Sequence, residues 1–194
     1  MGTDNFDTNV FINCPFDKEY RKLLKPLLFS ILRVGLEPRI ASERLDSGEV
    51  RLEKIVQLIQ NSKYGIHDLS RCKSLKEGEY SRFNLPFELA IDYSLREFSN
   101  ENSNLKYKKI LIFEEEKYSV QKALSDLAFS DAKCHKGEPE ELIYEVRSWF
   151  YQTGYTDVSS PSELWDSYNI FYSDLYIKKQ AEGFSMKAIE RLPV

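Results

Sequence analysis

Short apolar runs alternate with segments of helical periodicity along most of this chain. The runs are rich in β-branched and aromatic residues and have the length of buried strands. They cover Asn9–Cys14, Leu36–Ala41, Lys63–Leu69, Lys108–Glu116 and, more weakly, Ala132–His135. Strands that alternate with helices form parallel sheets, because each crossover returns the chain to the same end of the sheet. The sequence therefore predicts an α/β fold, a doubly wound parallel sheet with helices on both faces.

The segments between these runs have the spacing of amphipathic helices. Helices are predicted near Leu23–Leu32, Leu52–Ile59, Arg82–Phe98, Val120–Phe129 and Pro139–Gln152. The third of them contains the stretch RFNLPFELAIDYS and is predicted to turn four apolar residues toward the core: Phe87, Ile91, Leu95 and Phe98.

The alternation stops at Gly154, which divides the chain into a domain over residues 1–153 and a C-terminal helical extension over residues 154–194. A Ser/Pro-rich break precedes the extension, and Ser160 or Ser162 can cap its helix. Large apolar residues then fall near one helical face: Leu164, Tyr168, Phe171, Leu175 and Tyr176. Because such a face rarely stays exposed, we expect the extension to pack against the domain, with contact between copies of the chain as the alternative.

The composition restricts the class of protein. A net charge of −4 and a pI near 5.4 argue against a general nucleic-acid binder, although they leave room for a local basic patch. No apolar run approaches the roughly 18 residues of a membrane span, and the polar N-terminus is unlike a signal peptide, so we expect a cytoplasmic protein without a membrane partner. Three separated cysteines and two histidines form no metal-binding motif. Cys14, at a strand end, is expected to be a small core residue.

Polar side chains collect where the predicted strands end. In an open parallel sheet, ligands bind beyond the carboxyl ends of the strands. The candidate site residues near that edge are Asn13, Phe16, Arg39, Arg44, Asp68, Ser70, Arg71, Arg82, Asn84 and Glu88. This mixture suits a ligand that carries a sugar, a phosphate and a base, with the guanidinium groups binding phosphates and Phe16 stacking on the base.

Glu88 has two interpretations. Pro86 suits the first position of a helix, which would put Glu88 at the third, where an acid caps the helix or meets its dipole. Alternatively, the carboxylate performs chemistry on a ligand. Similar alternatives apply to its neighbours, since Asp68 can cap the loop after its strand and Arg39 and Arg44 can be solvated surface charges.

Two short motifs carry a family resemblance. Asp68-Leu69-Ser70 ends a strand, and after a loop Asn84-Leu85-Pro86-Phe87-Glu88-Leu89 opens a helix. Together with the segments VFINCPFDKEY and KYGIHDLSR, these motifs resemble the TIR-like and nucleoside 2-deoxyribosyltransferase-like α/β proteins of Rossmann-like architecture, in particular a bacterial TIR-like subgroup. The chain departs from the family pattern at Ala90, where glycine is common.

The resemblance implies attack on an N-glycosidic bond, with Glu88 as the catalytic carboxylate and Asp68 or Asn84 orienting sugar hydroxyls. Positive charge develops on the ribose as the base leaves, and a fixed carboxylate stabilises that charge or captures the sugar covalently. A place in the first turn of a helix would keep Glu88 ionised.

By the same resemblance we expect an NAD hydrolase, with NAD as substrate and no cofactor. It would act as a homo-oligomer or a partner-activated assembly, in the setting of bacterial antiviral defence. A nucleoside or nucleotide deoxyribosyltransferase is one alternative. A non-catalytic module that senses a nucleotide or binds a partner through its helices is the other.

Overall fold

A single parallel sheet forms the centre of the protein. The computed structural model describes residues 5–43, 48–71, 77–78, 80–127 and 131–192. Its strands are β1 (Asn9–Asn13), β2 (Glu37–Ile40), β3 (Tyr64–Asp68), β4 (Lys109–Glu114) and β5 (Lys133–Cys134). The five strands are all parallel and stand in the order β2-β1-β3-β4-β5. This order is the flavodoxin-like form of the doubly wound fold, so the fold predicted from the alternation is confirmed.

Helices connect the strands and continue beyond them. They are α1 (Arg21–Arg33), α2 (Arg51–Gln60), α3 (Asn84–Glu97), α4 (Ser119–Ala123), α5 (Pro139–Gln152), α6 (Pro161–Ala181) and α7 (Met186–Glu190). In the ranges that the structure describes, none of them is both long enough and apolar enough to cross a membrane. The predicted helix over Val120–Phe129 is shorter than expected, because α4 gives way to a 3-10 turn at Ser125–Leu127.

The two faces of the sheet bury different helices. Successive residues of a strand point to opposite faces, so β1 and β3 supply side chains to both. One core joins α1 and α5 to strand residues Val10, Ile12, Tyr64, Ile66, Leu111 and Phe113. On the other face, Phe11 packs against Ile55, Leu58 and Ile59 of α2. Leu85 and Leu89 of α3 pack there with Leu69 and Val120.

The C-terminal extension forms a third layer on the α1–α5 side. Ser160 caps α6, where its Oγ accepts a hydrogen bond from the Glu163 amide at 3.3 Å. Leu164 and Tyr168 then pack against Ile143 of α5 and Phe29 of α1. The expected packing of the extension against the domain is therefore confirmed for the first half of α6.

The buried face of α3 differs from the prediction. Phe87 is 55% exposed and Phe98 is 86% exposed, whereas the residues turned toward the sheet are Leu85, Glu88, Leu89 and Asp92. Ile91 and Leu95 lie at the flank, partly buried against the Phe11 cluster. Apolar periodicity gave the wrong face because two of the inward positions of this helix carry carboxylates, one of which, Asp92, has buried polar partners.

Gly65 of β3 makes that inward orientation of α3 possible. A Cβ atom at Gly65 would lie 2.2 Å from Asp92 Oδ2 and 3.0 Å from His67 Nε2, and real Cβ atoms do not approach other atoms so closely. The missing side chain is therefore what lets a carboxylate of α3 reach the surface of the sheet.

Replacing Gly65 tests this packing. Gly65→Ala should lower the free energy of unfolding by about 1–3 kcal/mol, since an extra methyl group forces a buried carboxylate to move. Urea unfolding followed by circular dichroism measures the change. In an Asp92→Ala background the same substitution should cost clearly less, because the clashing oxygen is absent. Equal costs in both backgrounds would contradict the packing described here.

Candidate functional site

The strand order creates a crevice between β1 and β3. The chain leaves β1 toward one face through α1 and leaves β3 toward the other face through α3, although the two strands are neighbours. This divergence is the topological switch point of a doubly wound sheet, where ligands bind beyond the carboxyl ends of the strands. The start of α3 lies at this crevice.

Glu88 lies on the sheet side of α3, close to the switch point. The helix begins at Asn84, so Glu88 is its fifth residue, and the first turn contains no acid. The interpretation of Glu88 as a cap is therefore wrong, since a fifth residue lies beyond the free amides at a helix start. Glu88 as a whole residue is only 7% exposed. Asn84 Nδ2 donates a long hydrogen bond of 3.4 Å to Glu88 Oε1, and no ion pair joins Glu88 to any residue that the structure describes.

The surroundings of Glu88 disfavour its charge. Burial raises the pKa of Glu88, and the hydrogen bond from Asn84 and the proximity of His67 and Arg51 offset only part of that effect. A helix start was expected to lower the pKa of this carboxylate, whereas in the structure the pKa is raised because desolvation exceeds the opposing contributions. A carboxyl group with a raised pKa beside a crevice is typical of functional sites.

A buried hydrogen-bond network fixes the residues around Glu88. Asn13 Nδ2 donates to the Leu85 carbonyl at 2.8 Å and contacts His67 Nδ1 at 3.0 Å. Because a carbonyl oxygen can only accept, the amide must present its NH₂ group there, and His67 Nδ1 must then be the unprotonated acceptor. The proton of His67 therefore lies on Nε2, which donates to Asp92 Oδ2 at 3.0 Å.

The network ends in a buried ion pair. Lys108 Nζ lies 3.2 Å from Asp92 Oδ1, and both side chains are fully buried. The same ammonium group donates to the carbonyl oxygens of Ile59, at 2.8 Å, and Ser62. Burial lowers the pKa of Lys108, while Asp92 opposes that shift. Side chains from β1, from β3 and from the residue before β4 thereby hold α3 in one rotation, one turn away from Glu88.

Asp68 belongs to a second buried network, on the opposite face of the sheet. Its Oδ1 accepts hydrogen bonds from the Ser70 amide, at 2.9 Å, and from Ser70 Oγ. Its Oδ2 accepts from Tyr20 Oη and lies 3.0 Å from His135 Nε2. Burial alone would raise the pKa of Asp68, but His135, Ser70 and Tyr20 together hold it below its ordinary value. Asp68 and Ser70 were predicted to bind substrate, yet here both are engaged with internal partners.

Ser70, His135 and Asp68 do not form a catalytic triad. His135 Nδ1 accepts a hydrogen bond from the Gly137 amide at 2.9 Å, so its proton lies on Nε2. That single nitrogen faces both Asp68 and Ser70 Oγ, the latter at 2.9 Å. A triad needs the imidazole between the two, with one nitrogen accepting the serine proton and the other donating to the acid. The cluster instead ties the loop after β3 to α1 and to the loop before α5.

Two of the predicted phosphate-binding arginines already have carboxylate partners. Arg39 forms hydrogen bonds of 2.7–3.2 Å with Glu43. Arg71 lies 2.9 Å from Glu19 and 3.5 Å from Asp17. These pairs weaken the argument that the arginines select a phosphorylated ligand, since their charges are largely neutralised within the protein.

The remaining predicted residues fall in different places. Arg82 is exposed just before α3, and Arg44 lies outside the described residues. Phe16 is 44% exposed but lines a groove on the α1 side, together with residues of α6 and α7. The structure therefore brings Asn13, Asn84 and Glu88 together, and it places Phe16 on the other side of the sheet.

Cys14 lies near the same strand end and is not a nucleophile. Burial raises the pKa of its thiol, and the negative charges of Asp68, Glu88 and Asp17 raise it further. A nucleophilic cysteine needs the opposite environment. Cys14 belongs to the α1–α5 core, which confirms its prediction as a core residue.

No family model matches the chain, and neither a curated protein nor a solved structure matches it significantly. The site is therefore interpreted from its own geometry.

The sequence contained a signal for the polar core that apolar periodicity alone did not detect. Glu88 and Asp92 are four residues apart, as are Leu85 and Leu89, and the two pairs interleave on one helical face. Acids that interleave with leucines on a helix indicate buried polar partners. His67 and Lys108 could then have been recognised as those partners, because they lie in or beside apolar strands.

Replacing Asp68 should destabilise the protein in a pH-dependent way. Asp68→Asn removes a buried carboxylate from its partners and should cost about 3 kcal/mol at pH 7. Because the folded pKa is lowered, the stabilisation is present above the unfolded pKa and is lost as the pH falls through the folded pKa. Thermal unfolding between pH 3 and 8 checks this, with the exposed Asp166→Asn as control. A penalty that is constant with pH would contradict it.

Replacing Glu88 should have the opposite effect on stability. Burial raises the pKa of Glu88 in the folded state. Its protonated carboxyl therefore contributes stability below the unfolded pKa, and this contribution is lost as the pH rises through the folded pKa. Glutamine has no proton to lose, so Glu88→Gln should melt at a higher temperature than the parent at pH 7 and converge with it in acid. The exposed Glu53→Gln is the matched control. A lower melting temperature for Glu88→Gln at pH 7 would indicate a purely structural carboxylate.

Proposed function

We propose that this protein cleaves the N-glycosidic bond of a nucleotide, with Glu88 as the catalytic carboxylate. The observation that carries the proposal is that Glu88 is nearly buried at the β1–β3 switch point without an ion-pair partner among the described residues. A buried carboxylate without a charged partner lowers the stability of the fold, and proteins keep such a group mainly where function needs it. NAD is the favoured substrate because of the resemblance to TIR-like proteins.

The chemistry follows from where charge develops. As the bond between base and ribose breaks, the sugar becomes oxocarbenium-like, and the electron pair of the bond leaves with the base. An ionised carboxylate beside C1′ stabilises this cation, and it does so more strongly in a dry crevice than in water. Glu88 would either hold the cation until water attacks or bond to C1′ and release the sugar in a second step.

Neighbouring side chains suit supporting roles. Asn84 already touches the Glu88 carboxylate and could bind a sugar hydroxyl through the same amide. Asn13 anchors the start of α3 through the Leu85 carbonyl, which keeps Glu88 in place. Arg51 begins α2 close enough to Glu88 to affect its pKa, and it would meet a substrate phosphate in place of the paired Arg39 and Arg71.

A product assay tests the proposal. The purified full chain is incubated with NAD, ATP and a set of deoxynucleosides, and released base is measured by chromatography. We expect base from the parent and at least about 100-fold less from Glu88→Gln, because one group that stabilises transition-state charge is worth at least that much. The rate should rise with pH through the raised pKa of Glu88, since only the ionised form stabilises the cation.

The controls separate catalysis from folding. Glu53→Gln makes the same chemical change on an exposed helical site and should keep the parental rate. Circular dichroism of Glu88→Gln should match that of the parent. Base release by Glu88→Gln at the parental rate would refute the assignment of Glu88. Absence of release from every compound would refute an activity of the chain that needs no activating partner. Base exchange between deoxynucleosides, rather than net hydrolysis, would identify a deoxyribosyltransferase.

A further inference from the structure

A cationic groove lies between α1 and the C-terminal helices. Its volume is about 690 Å³, and it is lined from α1 and its preceding loop, from the start of α5, and from α6 and α7. Six of its lining residues are basic: Lys18, Arg21, Lys22, Lys25, Lys187 and Arg191. One lining residue, Glu190, is acidic. The groove is thus strongly positive, although the whole chain carries a net charge of −4.

Two of the basic side chains of the groove are bonded to neutral groups rather than to carboxylates among the described residues. Arg21 Nη1 donates to the main-chain carbonyl of Glu190 at 2.9 Å, and Lys25 Nζ donates to Tyr172 Oη at 3.2 Å. In the described part of the chain, none of the six basic groups forms an ion pair with a carboxylate. Elsewhere, Arg71 and Lys136 do form such pairs. Clustered like charges repel one another, so an unpaired set of this size fits a polyanionic partner.

Aromatic rings line the same groove. On α6 the ring centroids of Trp165 and Tyr168 are 5.8 Å apart with planes inclined by 23°, and those of Tyr168 and Tyr172 are 6.0 Å apart with planes inclined by 24°. Phe16 contributes a half-exposed ring from the loop before α1. Tyr168 is buried between its neighbours and Lys25 Nζ lies 4.9 Å from the Tyr172 ring centroid, so Phe16 and Trp165 are the rings more open to a base. Open rings beside basic side chains are the combination that binds the bases and phosphates of unpaired nucleic acid strands.

We propose that this groove binds single-stranded nucleic acid. A lone phosphate group would occupy only two or three cations. The basic residues of this groove extend farther, from Lys18 along the first turn of α1 and on to α7. An acidic peptide would use the charges but not the rings. In a duplex the bases are stacked on one another and leave no face free for side chains, so the aromatic lining favours a single strand.

This proposal departs from the expectation that nucleic acid is an unlikely partner. That expectation rested on net charge, which averages over the whole surface and hides a local positive groove. The proposal is independent of the chemistry proposed for Glu88, because the groove lies on the α1 side of the sheet and Glu88 lies on the α3 side.

Binding by the full chain can be measured with fluorescently labelled 12-nucleotide strands of oligo(dT) and oligo(U) by anisotropy. If about four phosphates are neutralised, affinity should fall roughly 50-fold between 50 and 200 mM salt. Unlabelled oligo(dT) should compete well, and a duplex of the same length, tripolyphosphate and poly-glutamate should compete poorly.

Two double variants separate the groove from general electrostatics. Lys22→Glu/Lys187→Glu reverses two exposed charges of the groove, and Lys109→Glu/Lys117→Glu reverses two exposed charges outside it. Both change the net charge by the same amount. We expect the groove variant to bind at least about 10-fold more weakly and the control to bind nearly as the parent does. Phe16→Ala should weaken strand binding about 5- to 100-fold without changing tripolyphosphate binding, since it removes a stacking surface.

Specific results would overturn the proposal. Equal losses in the two double variants would mean that net charge, not the groove, controls binding. Tripolyphosphate or poly-glutamate competing as well as oligo(dT) would assign the groove to phosphate alone or to an acidic peptide. A duplex that binds as tightly as the single strand would remove the role of base stacking. Failure of every strand to bind at 50 mM salt would exclude nucleic acid as the partner.

Discussion

The ion pair of Asp92 and Lys108 is the interaction on which the candidate site depends. Both groups are fully buried, and such a pair contributes little net stability because desolvation offsets its attraction. Its effect is on geometry. Asp92 can reach Lys108 and His67 only if α3 presents one face to the sheet, and Gly65 leaves the space for that approach. One helical turn earlier, the same face carries Glu88, so the rotation that satisfies Asp92 also aims Glu88 at the switch point.

Two carboxylates near the end of β3 differ sharply in their surroundings. Asp68 accepts hydrogen bonds from Tyr20 and Ser70 and faces His135, and its pKa is lowered. Glu88 has one long contact from a neutral amide, and its pKa is raised. The first carboxylate is satisfied by the fold itself. The second has no such partners among the described residues, so the two short motifs that carry these carboxylates divide here into an anchor and the group to which the proposed chemistry is assigned.

The sequence predicted the sheet well and the polar core poorly, for one physical reason. Strand and helix patterns depend on local apolar spacing, so the alternation and the strand-end rule located Glu88 at the correct edge. Which face of α3 is buried depends on partners distant in sequence. Phe87 and Phe98 are exposed because the sheet-facing positions are taken by Leu85, Glu88, Leu89 and Asp92, the last of which has buried polar partners. Ion pairing can be equally non-local, and so the engagement of Arg71 by Glu19, 52 residues away, could not be read from residue type.

The distribution of cations between the two sides of the sheet constrains what each side can bind. Arg71 is held by Asp17 and Glu19, whereas His67 and Arg51 are the groups that influence the Glu88 carboxylate electrostatically. With so little free positive charge among the described residues near Glu88, the proposed site would suit a ligand with few phosphates, such as a nucleoside or a dinucleotide. The α1 groove has the converse balance of many unpaired cations and no catalytic carboxylate. The proposed small substrate would therefore bind on the α3 side of the sheet, where unpaired positive charge is sparse among the described residues. The proposed polyanionic partner would bind on the α1 side, where it is dense.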